Sequence, residues 1–148
     1  MDNTELVNRM KVVLATTFAL YLKAHNFHWN VEGPNFPQYH EFFGDLYEEL
    51  HGAVDPIAEH IRALDSYAPG SFERFKELSS VVDEFNVPSP IMMCQKLLDD
   101  NDTLLQDLNY ALTEAENIKE MGLANYLQDR IDIHKKHRWM LKSIEAKK

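Results

Sequence analysis

Residues 25–40 read "HNFHWNVEGPNFPQYH", three imidazoles and four aromatic rings around a glycine-proline break. The break decides the fold. Behind it, Leu6, Met10, Val13, Thr17, Leu20, Ala24 and Phe27 follow at steps of four and three, the spacing of a helix with one buried stripe. That helix ends near Asn30, because Gly33 can take a positive φ and Pro34 cannot continue a helix. Asn35 is placed to cap the next helix, with Pro37 in its first turn. The second helical pattern runs from Phe36 to about Leu64, with Phe36, Tyr39, Phe43, Leu50 and Ile57 as its apolar stripe. Pro56 lies inside it, and since Ala53, Ile57, Ile61 and Leu64 keep the period, the expectation is a bent helix, not a broken one.

Further along, Asp65 to Pro88 reads as a long connection with one short helical piece at Phe72 to Leu78. Ser89 and Pro90 open a third long helix to about Ile118. Met121 and Gly122 are read as a tight turn into a fourth, ending near Ile144. No strand signal, repeat or low-complexity segment interrupts this. Two short turns and one long link predict an all-α, single-domain four-helix bundle, residues 1–148, with one crossover between the second and third helices: ferritin-like connectivity.

Composition narrows the function classes. The chain has 148 residues, enough for one domain with a core. Its apolar fraction of 45%, charged fraction of 26% and mean hydropathy of -0.41 fit a globular protein. The longest apolar run, "VVLATTFALYL" at Val12 to Leu22, is far short of the roughly 20 residues that span a bilayer. Asp2 and Glu5 at the start do not suit a signal peptide, and the single Cys94 allows no internal disulfide, so the cytoplasm is the expected setting. A net charge of -9, and a first ten residues that set one Arg against Asp2 and Glu5 and so form no basic arm, oppose direct DNA binding. Lys142, Lys147 and Lys148 form a small cationic tip, read as a favourable charge set at a helix C-terminus.

The second helix carries His40, Glu48, His51, Asp55 and Glu59, which fall within an arc of about 100°. No Lys or Arg occurs from Asn26 to Ile61. A solvated face normally mixes signs; imidazoles and carboxylates without cations look like a cation site of N and O ligands. Along a helix, however, His40 stands roughly 22 Å from Asp55 and 28 Å from Glu59, so they cannot share an ion within one chain. Asp55 and Glu59 can meet over one ion, and His40 can meet His28 across an antiparallel hairpin. A two-fold axis laying this helix against its copy joins the halves and gives two equivalent sites per dimer.

The stretch "HNFHWNVEGPNFPQYHEFFGDLYEEL" at 25–50, followed by "DPIAEHIRAL" at 55–64, resembles the Dps family, the DNA-protection-during-starvation branch of the ferritin superfamily. "HKKHRWMLKS" at 134–143 is similar to that family's C-terminal ending. The resemblance implies an inter-subunit ferroxidase centre made by His28 and His40 of one subunit with Asp55 and Glu59 of its partner. It also implies a hollow dodecamer that oxidises Fe(II), preferably with hydrogen peroxide and otherwise with O₂, stores the ferric mineral and protects DNA from oxidative damage. One departure stands out: the family has an acid four positions after the second histidine, and here that position is Gly44. Glu48 and His51 are the residues able to compensate.

Other residues have blander readings. Trp29 is an interface aromatic or an interceptor of stray oxidant; His25 is a capping or solvent-facing imidazole. His134 and His137 are surface or core residues, and Asp129 and Asp132 an exposed face or an iron entry pore. Two alternatives stay open. A classical ferritin site inside the bundle needs Glu-x-x-His on two helices, and only Glu48 to His51 fits. A shell with weakened or lost ferroxidase activity, acting as a DNA-associated or structural protein, follows if Gly44 disables the centre.

Overall fold

The computed structural model describes residues 2–145. Five helices follow in order: α1 (Thr4–Asn30), α2 (Phe36–Ala63), α3 (Phe72–Leu78), α4 (Pro90–Asn117) and α5 (Met121–Glu145). Among the described residues there is no strand. None of these helices is long and apolar enough to cross a membrane. The expected bundle with a crossover is present. Helix α1 packs against α2 and α4, α5 closes on α4, and α3, within the link from α2 to α4, lies against α1.

All seven positions of the predicted α1 stripe are buried. Six of them, all but Thr17, meet Phe43, Leu46, Leu50, Ala53, Ile57 and Ile61 of α2 and Met93, Leu97, Leu104 and Leu108 of α4 in one continuous core. Each Leu, Ile or Phe so enclosed contributes about 1.5–3 kcal/mol, which makes this interior the main force holding the helices together. The α2 stripe is cleaner at its centre than at its start: Phe43, Leu50 and Ile57 are fully enclosed, Tyr39 is half-buried and Phe36 stays 40% exposed. Pro56 leaves α2 unbroken.

The helix ends follow the sequence in part. Ser89 caps α4, its hydroxyl accepting from the Met92 N–H, with Pro90 just inside. Asn35 stands at the start of α2, but its side chain makes no capping bond; Gly33, at φ 123, brings its carbonyl to the Phe36 N–H instead. The turn into α5 is not made by Gly122, which lies inside that helix. Lys119 makes it, at φ 61, with its N–H bonded to the Glu116 carbonyl and the Glu120 N–H to the Ala115 carbonyl, the pair of bonds of a Schellman motif. Asp65 ends α2 in the same way, at φ 65. Lys142 lies in the last turn of α5, while Lys147 and Lys148 are outside the described residues.

Candidate metal centre

The α1–α2 hairpin brings His28 and His40 face to face. Their rings stack with centroids 3.8 Å apart and planes 17° from parallel. His28 Nδ1 donates to the backbone carbonyl of His40 at 2.6 Å, and His40 Nδ1 donates to the carbonyl of His28 at 2.7 Å. Carbonyl oxygens only accept, so both Nδ1 atoms carry the proton in the neutral rings. Both Nε2 atoms then keep their lone pairs, the form in which imidazole binds a metal. These reciprocal bonds also lock the orientation of each ring before any ion arrives. Phe36 also stacks on His40, with ring centroids 4.9 Å apart.

Gly44 lies beside this pair. A Cβ there would stand 3.1 Å from Cε1 and from Nδ1 of His28, closer than an ordinary contact. The absent side chain thus leaves room for the His28 ring against the α2 backbone. Asp55 and Glu59 are exposed one turn apart on α2, several turns beyond His40. The structure therefore unites the imidazoles with each other and not with the carboxylates. Among the described residues of one chain, no group of three His, Cys, Asp or Glu side chains could hold a metal ion.

Glu48 and His51 are exposed, and His51 lies against the Tyr21 ring at 4.8 Å. His51 is about 16 Å along α2 from His40, too far to complete a shell around the same ion within the chain. Neither residue points into the core, so the Glu-x-x-His pattern builds no site inside this bundle.

His25 departs from its expected role. It neither caps a helix nor faces open solvent: its ring stacks on Tyr47 at 3.7 Å and 6°, lies 3.9 Å from Trp29, and accepts from or donates to the Tyr21 hydroxyl at 3.0 Å. Burial, reinforced by His28 and His51, pushes its pKa below the usual imidazole value. Trp29 itself is 58% exposed. Asp129 and Asp132 are exposed on α5.

The polar cluster that sequence reasoning missed joins α2, α4 and α5. Glu49 takes Arg130 through both carboxylate oxygens, at 2.5 and 3.1 Å, and bonds His137 Nε2 at 2.8 Å. His134, completely buried, accepts from Arg130 on Nε2 at 2.9 Å and donates from Nδ1 to Asn101 at 2.7 Å. Asn101 returns a bond to the His134 carbonyl. Burial works against ionising Glu49, but the bonds and charges of His137 and Arg130 outweigh it and hold its carboxyl at about 2. The signal was the i, i+4, i+7 spacing of Arg130, His134 and His137, one face of a helix.

Comparison with known proteins agrees with this architecture. The ferritin family profile, described as a ferritin-like domain, matches residues 8–147. The DNA protection during starvation protein of Brevibacillus brevis is 33% identical over 140 residues, 94% of this chain and 91% of that one. The crystal structure of Dps from Staphylococcus aureus superposes with a TM-score of 0.95 at 29% identity, covering 99% of both chains. That of Vibrio cholerae O1, a Dps protein of the broad superfamily of ferritin-like diiron-carboxylate proteins, gives 0.94 at 25% identity over 99% of this chain and 94% of that one. With a ferritin-like domain across nearly its whole length and a Dps relative a third identical end to end, this chain belongs to the Dps family.

Proposed function

We propose that the protein oxidises Fe(II), its substrate, at centres shared between subunits, and stores the ferric product inside a hollow homo-oligomeric shell, a dodecamer built from two-fold dimers. The centre uses His28 and His40 of one subunit with Asp55 and Glu59 of the partner subunit. The observation that carries this reading is the reciprocal locking of His28 and His40, which leaves each of the two stacked rings an Nε2 lone pair. Neutral imidazole with carboxylate is a donor set suited to Fe(II). The name of the Brevibacillus brevis relative and the superfamily of the Vibrio cholerae protein support it.

Each Fe(II) yields one electron. Hydrogen peroxide takes two as its O–O bond breaks and, with two protons, leaves as water, so paired ions consume the oxidant without releasing hydroxyl radical. O₂ is the slower alternative. Removing both reagents together protects DNA in a cytoplasmic setting without requiring that DNA be bound, in keeping with a net charge of -9.

A second reading rests on Gly44. With no acid beside His28, the shell keeps its fold while its centres bind Fe(II) weakly. Anaerobic Fe(II) titration of the native assembly, with its mass measured alongside, tests the proposal; near-ultraviolet ferric absorbance after peroxide, then after O₂, gives the oxidant. The expected result is a multi-subunit particle with saturable Fe(II) sites and faster oxidation by peroxide. A particle that takes up no Fe(II) overturns the ferroxidase reading.

A further inference from the structure

One chain leaves apolar surface uncovered along α1 and the link from α2 to α4. On α1, Phe18, Leu22 and Trp29 fall within an arc of about 40° and form one ridge, Phe18 half-buried and the other two exposed. Beside it Phe72, Val82 and Phe85 of the link are 81%, 79% and 91% exposed, and with Phe18 and Leu22 they line a groove of about 660 Å³. Helix α3 spans seven residues, too few to hold a helix in water unaided, yet none of them is buried.

The uncovered area is large. A Phe or Trp ring buries roughly 150–250 Å², so Phe72, Phe85 and Trp29 alone leave roughly 350–550 Å² to be covered. That is about half of the roughly 800 Å² that each partner gives to a stable interface. Glu73, Lys76 and Asp83 also line the groove, and such a mixture of signs suits a second copy of the same face better than a polyanion.

The register of the shared centre says where a two-fold axis must pass. If His40 of one copy is to meet Asp55 and Glu59 of the other, antiparallel α2 helices cross midway between those positions, near Glu48. Helix α1 is level with that point at Tyr21, whose ring lies 6.1 Å from that of Tyr47 and 4.8 Å from that of His51. Leu22 is the next residue, in the middle of the ridge and on the wall of the groove. The axis that completes the centre therefore runs beside the uncovered apolar face, and on the two-fold each copy covers the other's.

We propose that the α1 ridge, with Phe72, Val82 and Phe85 of the link, is the face on which a second copy docks, and that this docking completes the centre of His28, His40, Asp55 and Glu59. The inference rests on the shared-centre reading above. The crossover link is then a positioning element of the metal site, although it supplies none of the ligands.

The test uses full-length protein carrying Phe85→Asp with Val82→Asp, two side chains exposed in the single chain, so that its helix content by circular dichroism should match the wild type. Sedimentation and native mass should show monomers, and anaerobic Fe(II) affinity should fall at least tenfold with all four ligands in place. Leu22→Lys, on the ridge and outside the link, should do the same. Phe85→Leu with Val82→Ile should keep both the assembly and the Fe(II) sites. Trp139→Asp, in the groove between α4 and α5, should leave dimers or larger particles that still bind Fe(II). Acid variants that stay dimeric with their Fe(II) sites intact overturn the docking face and leave the shared centre standing. Monomers with wild-type Fe(II) affinity overturn the coupling between docking and the centre. Monomeric variants of a wild type that binds no Fe(II) keep the face and remove the ferroxidase reading alone.

Discussion

Two regions of this molecule set imidazole beside oxygen, and they differ in what the imidazole is free to do. At the hairpin edge, His28 and His40 spend their Nδ1 protons on backbone carbonyls and keep both Nε2 lone pairs. In the bundle interior, His134 spends both ring nitrogens on protein partners, and the carboxylate beside it is neutralised by Arg130. The first arrangement is poised for an ion from outside; the second already contains its cation. Histidines near acids are thus no guide to a metal centre until the positive charges around them are counted.

The sharpest way to break this contrast is to delete the edge pair. His28→Ala with His40→Ala should reduce Fe(II) affinity and peroxide-driven oxidation by about 100-fold or more, since losing only a ligand's supporting partner already costs about 10- to 100-fold. Thermal stability should change by about 1 kcal/mol or less, since both rings are only half-buried. Unchanged oxidation at substoichiometric iron would remove the edge from consideration.

In the interior the effects should reverse. Glu49→Gln leaves the buried Arg130 without its counter-charge and should cost about 3 kcal/mol, seen in chemical unfolding, with Fe(II) oxidation per folded particle intact. A variant equally stable would mean that the ion pair contributes little.

The same carboxylate sets an acid limb. Its pKa is near 2 folded against an ordinary 4.5, so folding favours the ionised form. That contribution is fully present above about 4.5 and is lost as pH falls through about 2, with at most about 1.4 kcal/mol per pH unit from this one group. Unfolding measured across this window should show the limb in the wild type and lack it in Glu49→Gln. An identical profile in both would assign the acid sensitivity elsewhere.

Gly44→Ala is the finest probe. The new Cβ meets the His28 ring at 3.1 Å, so the ring must give by a few tenths of an ångström. Fe(II) affinity should fall by tenfold or less, about a tenth of the penalty for a full 1 Å misplacement. The helix propensity gained, about 1 kcal/mol, should offset the crowding and leave stability nearly unchanged. Improved Fe(II) binding in this variant would mean that the glycine is not there to seat His28.

How much of this was legible follows from which interactions are local. The α1 stripe was readable because burial repeats with the helical period, and every position predicted for it is enclosed. The meeting of His28 and His40 followed from a short antiparallel link with His residues at matching distances from it. The turn before α5 was misplaced because glycine is the usual left-handed residue, whereas here Lys119 and Asp65 take that conformation and two backbone bonds each hold them there. The roles of His25 and of the Glu49 network were hidden for another reason. Tyr47 and Glu49 come from α2, while their partners lie on α1 or on α5, 81 residues away, and no local pattern reports such pairings.

The central claim, that one subunit supplies the imidazoles and another the acids, is tested most directly by mixing two inactive variants. One carries His28→Ala and His40→Ala, the other Asp55→Ala and Glu59→Ala, and they are co-assembled in equal amounts. With random pairing, half the dimers are mixed and each mixed dimer has one whole centre, so about one quarter of the wild-type Fe(II) sites and oxidation should return. Mixed particles as inactive as either parent would contradict a centre shared between subunits.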